Sequence, residues 1–104
     1  MNIEELLLYI EKRPLMYFRN KDVFFLEAFL GGFLLNEHIK NKNSADDFRS
    51  EFYSWLVEKF KFKDRSTWAD LIDEISKKEN LNSVDVFFRE YHLFKIKLSE
   101  YQQK

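Results

Sequence analysis

Apolar residues recur at helical spacing from one end of this chain to the other. Ile3, Leu6, Leu7 and Ile10 stand at i, i+3, i+4 and i+7 and predict a first helix with one apolar stripe. Pro14 disfavours helical backbone at Arg13, so that helix ends there. Met16, Tyr17 and Phe18 are left on a turn, where the expectation is a core plug tucked under the second helix, with a partner-facing knob as the alternative. Asp22 is a candidate N-cap for the second helix, on which Val23, Leu26, Phe29, Leu30, Phe33 and Leu34 hold the period. Phe25 lies off that stripe, which predicts a helix buried on more than one side and placed centrally. Gly31 and Gly32 each cost up to ~1 kcal/mol against alanine in a helix interior. Close approach of a crossing helix is the expected reason, and a kink is the other.

The polar stretch "HIKNKNSADD" reads as a loop, with Ser44 capping a third helix and Asp46 and Asp47 in its first turn. Phe48, Phe52, Trp55, Leu56 and Phe60 line one face of that helix. After the break "KFKDRS", a short fourth helix carries Trp68, Leu71, Ile72 and Ile75. Asn82 or Ser83 caps a long fifth helix, whose Val84, Phe87, Tyr91, Phe94, Leu98 and Tyr101 alternate by three and four, a seam suited to lying along another helix. The prediction is an all-α protein, a single compact bundle of about five helices in one domain spanning 1–104.

Composition narrows the function. Seventeen cations against 18 anions leave a net charge of −1, which argues against broad nucleic-acid binding. With no cysteine there is no disulfide frame, no thiolate nucleophile and no Cys-ligated zinc. Glu4 and Glu5 stand where a signal peptide would carry cations, and no apolar run approaches the ~20 residues of a membrane span. A cytoplasmic protein with no membrane partner is the expectation.

Candidate chemistry is sparse. His38 and His92 have no second ligand at metal spacing, so neither a metal nor a cofactor is expected. No serine stands in a nucleophile-elbow pattern and no glycine-rich phosphate loop is present, which points away from an enzyme. Lys59, Lys61, Lys63 and Arg65 interleave with Phe60 and Phe62, as single-strand binders do. Cations closing a helix C-terminus over inward-facing aromatics explain the same pattern and are preferred. Asp70, Asp73 and Glu74 share one face of the fourth helix, opposite its apolar stripe. With Asp46, Asp47 and Glu51 on the third, they make two anionic patches, which steer a cationic partner or simply keep the surface solvated.

Taken in order, "KRPLMYF", "LEAFLGGFL", "FRSEFYSWLVEKF", "STWADLI" and "VDVFFREY" carry a resemblance that covers most of the chain. The sequence resembles a group of small all-helical bacterial immunity proteins of toxin–immunity systems, including contact-dependent growth inhibition. Members share an Arg-Pro-x-Met-Tyr break after a first helix, a Phe-Leu-x-Gly-aromatic helix, a Trp-containing helix and a late Phe-Phe pair. The resemblance implies an inhibitor with no reaction of its own, which binds a cognate toxin domain, often a nuclease, and occludes its active site or substrate surface. It supplies no contact positions. Charge geometry alone nominates Asp46, Asp47, Glu51, Asp70, Asp73 and Glu74 as carboxylates standing in for phosphates. The free protein is expected as a monomer or dimer. The alternatives are a small non-enzymatic adaptor binding a cellular protein or itself through an exposed aromatic patch, and a nucleic-acid-binding module.

Overall fold

The computed structural model describes residues 2–40, 48–62 and 67–102, and these form five helices joined by turns. Helix α1 spans Ile3–Lys12, α2 Val23–Lys40, α3 Phe48–Phe60, α4 Trp68–Glu79 and α5 Ser83–Gln102, with one 3-10 turn at Pro14–Met16. No strand occurs among the described residues, and the fold is the all-α bundle that the periodicity predicts.

Side chains set the helix ends. Asn2 Oδ1 accepts from the Glu5 amide at 2.8 Å and Asp22 Oδ1 from the Phe24 amide at 2.8 Å, each satisfying a donor that the first turn leaves free. Thr67 and Asp70 form a reciprocal capping box on α4. Asn82 caps α5, and its side-chain amide also donates to the Lys21 carbonyl at 2.9 Å. Ser83 Oγ accepts from the buried Val23 amide at 2.9 Å, so the starts of α2 and α5 are stapled together. Helices α3 and α4 end alike. Lys61 (φ 59°) and Asn80 (φ 57°) turn left-handed, and the Phe62 and Leu81 amides reach back to the Val57 and Ser76 carbonyls. The predicted Ser44 cap lies outside the described residues.

The stripes of α1 and α4 are buried as their spacing predicts: Leu6, Leu7 and Ile10 on one, Trp68, Leu71, Ile72 and Ile75 on the other. The central helix is α5. It packs on α2, α3 and α4 and buries Val86, Phe88 and Glu90 in addition to the predicted Val84, Phe87, Tyr91 and Phe94. At the middle of the core the Phe52 ring meets Phe87 and Phe94 edge-on, each at 5.5 Å.

Three expectations are corrected. Helix α2 is not covered on both sides: Phe24 is 40% exposed, Phe25 42% and Leu35 60%. Among the described residues no helix crosses its glycines either, because a Cβ built on Gly31 or Gly32 meets nothing within 4 Å. The turn after Pro14 also divides differently from a three-residue plug. Phe18 is buried and Tyr17 packs edge-on against Phe29 at 5.8 Å, but Met16 is 69% exposed and Leu15 66%. No residue of the 3-10 turn itself is buried, and the chain reaches the core only after it, at Tyr17 and Phe18. The Arg13 guanidinium rests 3.9 Å from Met16 Sδ.

Candidate functional site

Glu51, Ser54, Trp55 and Glu58 fall at i, i+3, i+4 and i+7 on α3, so the helical repeat places them on one face. With Ser50 they form one wall of a groove of about 440 Å³, and Phe94, Lys97 and Leu98 of α5 form the other. A second depression of about 380 Å³ adjoins it, sharing Trp55, Glu58 and Lys97 and adding Lys59 and Lys61. Trp55 thus stands between the two depressions, with Glu51, Ser50 and Ser54 lining one, Lys59 and Lys61 the other, and Glu58 and Lys97 both.

The indole is held on several sides. It stacks on Phe52 at 6.1 Å, meets Phe94 edge-on at 5.7 Å, and carries Lys59 Nζ over its face at 4.7 Å. Lys59 is in turn fixed from below. Its ammonium donates at 2.7 Å to Oε1 of Glu90, whose side chain is only 2% exposed. The other carboxylate oxygen accepts from Arg89 Nε at 2.8 Å, and Arg89 Nη1 pairs with Glu79 at 2.8 Å. Burial works against the charge on Arg89, but its bonds to Glu79 and Glu90 outweigh it and hold the guanidinium above its ordinary pKa. Both oxygens of the buried carboxylate are satisfied by cations, which is what makes its burial tolerable.

A smaller groove of about 200 Å³ runs between α1 and α5, lined by Glu4, Leu7, Leu8, Glu11, Phe88, Tyr91, His92 and Lys95. It is bridged by the ion pair of Lys95 with Glu4 and by a hydrogen bond between His92 Nε2 and the Glu11 carboxylate at 3.0 Å. Burial, reinforced by the Glu4 and Glu11 carboxylates, pushes the Tyr91 phenol up to about 12.

The sequence-nominated carboxylates separate. Glu51 lines the Trp55 groove, and none of the α4 carboxylates does. Asp70 is engaged in the α4 capping box; Asp73 pairs with Lys77 at 3.0 Å, and Glu74 with Lys78 at 3.7 Å. Two of that face's three anions are therefore matched by lysines one turn along, whereas neither Glu51 nor Glu58 forms an ion pair among the described residues. Asp46 and Asp47 lie outside the described residues, as do Lys63, Arg65 and the side chain of His38. Within the nominated basic cluster, Phe60 and Phe62 pack against the core and Lys59 is committed to Glu90.

Sequence reasoning misses Glu58, Ser54 and Lys97, although the spacing of Glu51, Trp55 and Glu58 shows the face. It misses Glu90 as well, whose position three residues after Phe87 and four before Phe94 marks it as core-facing. Among the described residues no group of three or more potential metal ligands converges, and no helix is long and apolar enough to cross a membrane.

Fold and site together define a small helical protein with a tryptophan-centred, mixed-charge surface groove. Comparison with protein families, curated proteins and solved structures finds no match to this chain.

Proposed function

We propose that this chain is a non-enzymatic inhibitor, an immunity protein that binds a cognate bacterial toxin domain and occludes its active site or substrate surface. The observation that carries a protein-binding role is the groove around Trp55. A pre-positioned tryptophan at the centre of a charged and hydroxylated rim is the anatomy of a protein-interface hot spot, where a buried aromatic anchors and surrounding polar groups set orientation. The toxin assignment rests on the resemblance of the five motifs. A nuclease presents a basic substrate surface, and Glu51 and Glu58, unpaired among the described residues, offer carboxylates to it. Glu51 belongs to the acidic set read from the sequence; Glu58 joins it. The mixed rim favours a protein over nucleic acid as occupant, since the two carboxylates would repel a phosphate backbone.

The test is co-expression of this protein with the C-terminal domain encoded immediately upstream. The expected result is tight co-elution and rescue of growth, both lost in the folded double variant Glu51→Lys/Glu58→Lys. A harmless neighbour that does not bind overturns the toxin assignment. Full protection by the folded double variant removes the groove from it.

A further inference from the structure

The sequence from Val23 to Leu35 contains one charged residue, Glu27, and that residue is half-buried at the flank of α2. The side of α2 turned away from the bundle is formed by Phe24, Phe25, Ala28, Gly32 and Leu35, all exposed and all apolar. Among the described residues nothing covers this face. The helix already buries Val23, Leu26 and Leu30 on its other side, and no described residue lies within 4 Å of a Cβ built on Gly31 or Gly32.

We propose that this face is the interface of a symmetric homodimer, formed with α2 of a second copy packed antiparallel across Ala28 and Gly32. Three observations select a second copy. The face is self-complementary: with a two-fold axis at the level of Leu30, Ala28 meets Gly32 of the other copy and Phe25 meets Leu35. Small residues then lie where crossing helices come closest and large ones fill the diverging ends, and each contact is made twice, as an isologous interface requires. The area also fits. The five residues expose on the order of 300 Å² of apolar surface. Leu15 and Met16 extend it, because their turn adjoins the face through the contact of Tyr17 with Phe29, one helical turn from Phe25. The total approaches ~500 Å², about the apolar share of a standard interface of roughly 800 Å² per partner. Finally, an uncharged face on a chain of net charge −1 meets its own copy with no repulsion and no buried charge.

This inference is independent of the toxin assignment, because the Trp55 groove is built on α3 and α5. Sedimentation velocity of the full chain, from low micromolar to several hundred micromolar, is expected to show a species of twice the 12.8 kDa chain mass. Phe25→Lys and Leu35→Glu, each keeping its helical circular dichroism, are expected to weaken association at least ~100-fold, since each charge enters the interface twice. Mixed together, the two variants are expected to restore a dimer. The introduced lysine of one chain then meets the introduced glutamate of the other on one side of the axis, while the native Leu35 and Phe25 meet on the other side. A wild-type chain that stays monomeric throughout overturns the proposal, and so does one that is monomeric but binds an unrelated protein through this face. Association that neither variant weakens, or a mixture that stays monomeric, overturns it as well.

Discussion

The buried carboxylate of Glu90 makes Lys59 the residue whose loss the fold should feel most sharply for its exposure. Lys59→Met keeps the aliphatic stem beside Trp55 and removes only the ammonium. In the native chain both cations on Glu90 are more than a third exposed while the carboxylate is almost wholly buried, so the desolvation penalty falls mainly on the anion. Removing Lys59 leaves Oε1 without its 2.7 Å partner. A lost hydrogen bond to a buried charge costs about 1.5–3 kcal/mol, and breaking one partner of a buried ion pair about 3–5. Arg89 remains on Oε2, which places the expected loss near the lower bound, about 3 kcal/mol including the lost cation–π contact. For a domain of this size that corresponds to a fall in Tm of roughly 12–20 °C. Thermal and urea unfolding followed by far-ultraviolet circular dichroism measures it. Lys59→Met/Glu90→Met should cost less than the sum of its single variants by at least about 1.5 kcal/mol, because the double change leaves no buried charge stranded. A Lys59→Met chain within ~0.5 kcal/mol of wild type would refute the reasoning, since an exposed pair contributes no more than that.

Other consequences can be measured on the same material. Tyr91 titrates at about 12 in the folded chain against roughly 10 unfolded, so between those values the folded state keeps a proton that the unfolded state has lost. The contribution of Tyr91 to stability is therefore constant below pH 10 and falls by about 2–3 kcal/mol as the pH rises to 12, so urea melts of Tyr91→Phe should lose that part of the alkaline slope. Gly31→Ala, with open space for its Cβ and ordinary helical φ, should raise stability by up to ~1 kcal/mol, and Lys61→Gly, relieving a left-handed lysine, by about as much. Asp70→Ala should cost about 1 kcal/mol through the capping box, whereas Glu74→Lys should stay within ~0.5 kcal/mol. Reversing Asp70 thus confounds binding with folding, and only Glu74 probes the α4 face cleanly.

The helices were legible because hydrophobic period and caps agree along the chain. The stripes of α1 and α4 are amphipathic, and Asp22 and Asn82 cap where their chemistry suggests. What the pattern could not carry is which apolar residue finds a neighbour. Phe25 and Leu35 on α2 are as hydrophobic as Phe88 on α5, yet the bundle folds around α5 and leaves the α2 face outside. Periodicity records apolar positions, and burial depends on where the other helices go. The same holds for charge. Asp70, Asp73 and Glu74 share a face as spacing requires, but Lys77 and Lys78 one turn on match two of them, an i, i+4 pairing present in the sequence. The bond of Lys59 to Glu90 spans 31 residues and needs the packing of α3 on α5 before it can be seen.

That bond also joins the core to the groove. Lys59 is at once the partner of the buried carboxylate and the cation seated over the Trp55 indole. Its ammonium has little freedom to move, because swinging toward a ligand would strand Glu90. The groove therefore presents a fixed indole and a fixed positive charge, with Glu51 and Glu58 as its adjustable elements. Holding the anchor still before contact removes an ordering cost that association would otherwise carry, about 0.5–1.5 kcal/mol for each immobilised side chain. Under the binding role proposed for the Trp55 groove, a buried charge network beneath it has that physical use whatever its net contribution to stability. Disturbing Glu90 should then loosen a partner bound at Trp55 without touching it, because the indole would lose the cation that caps its face.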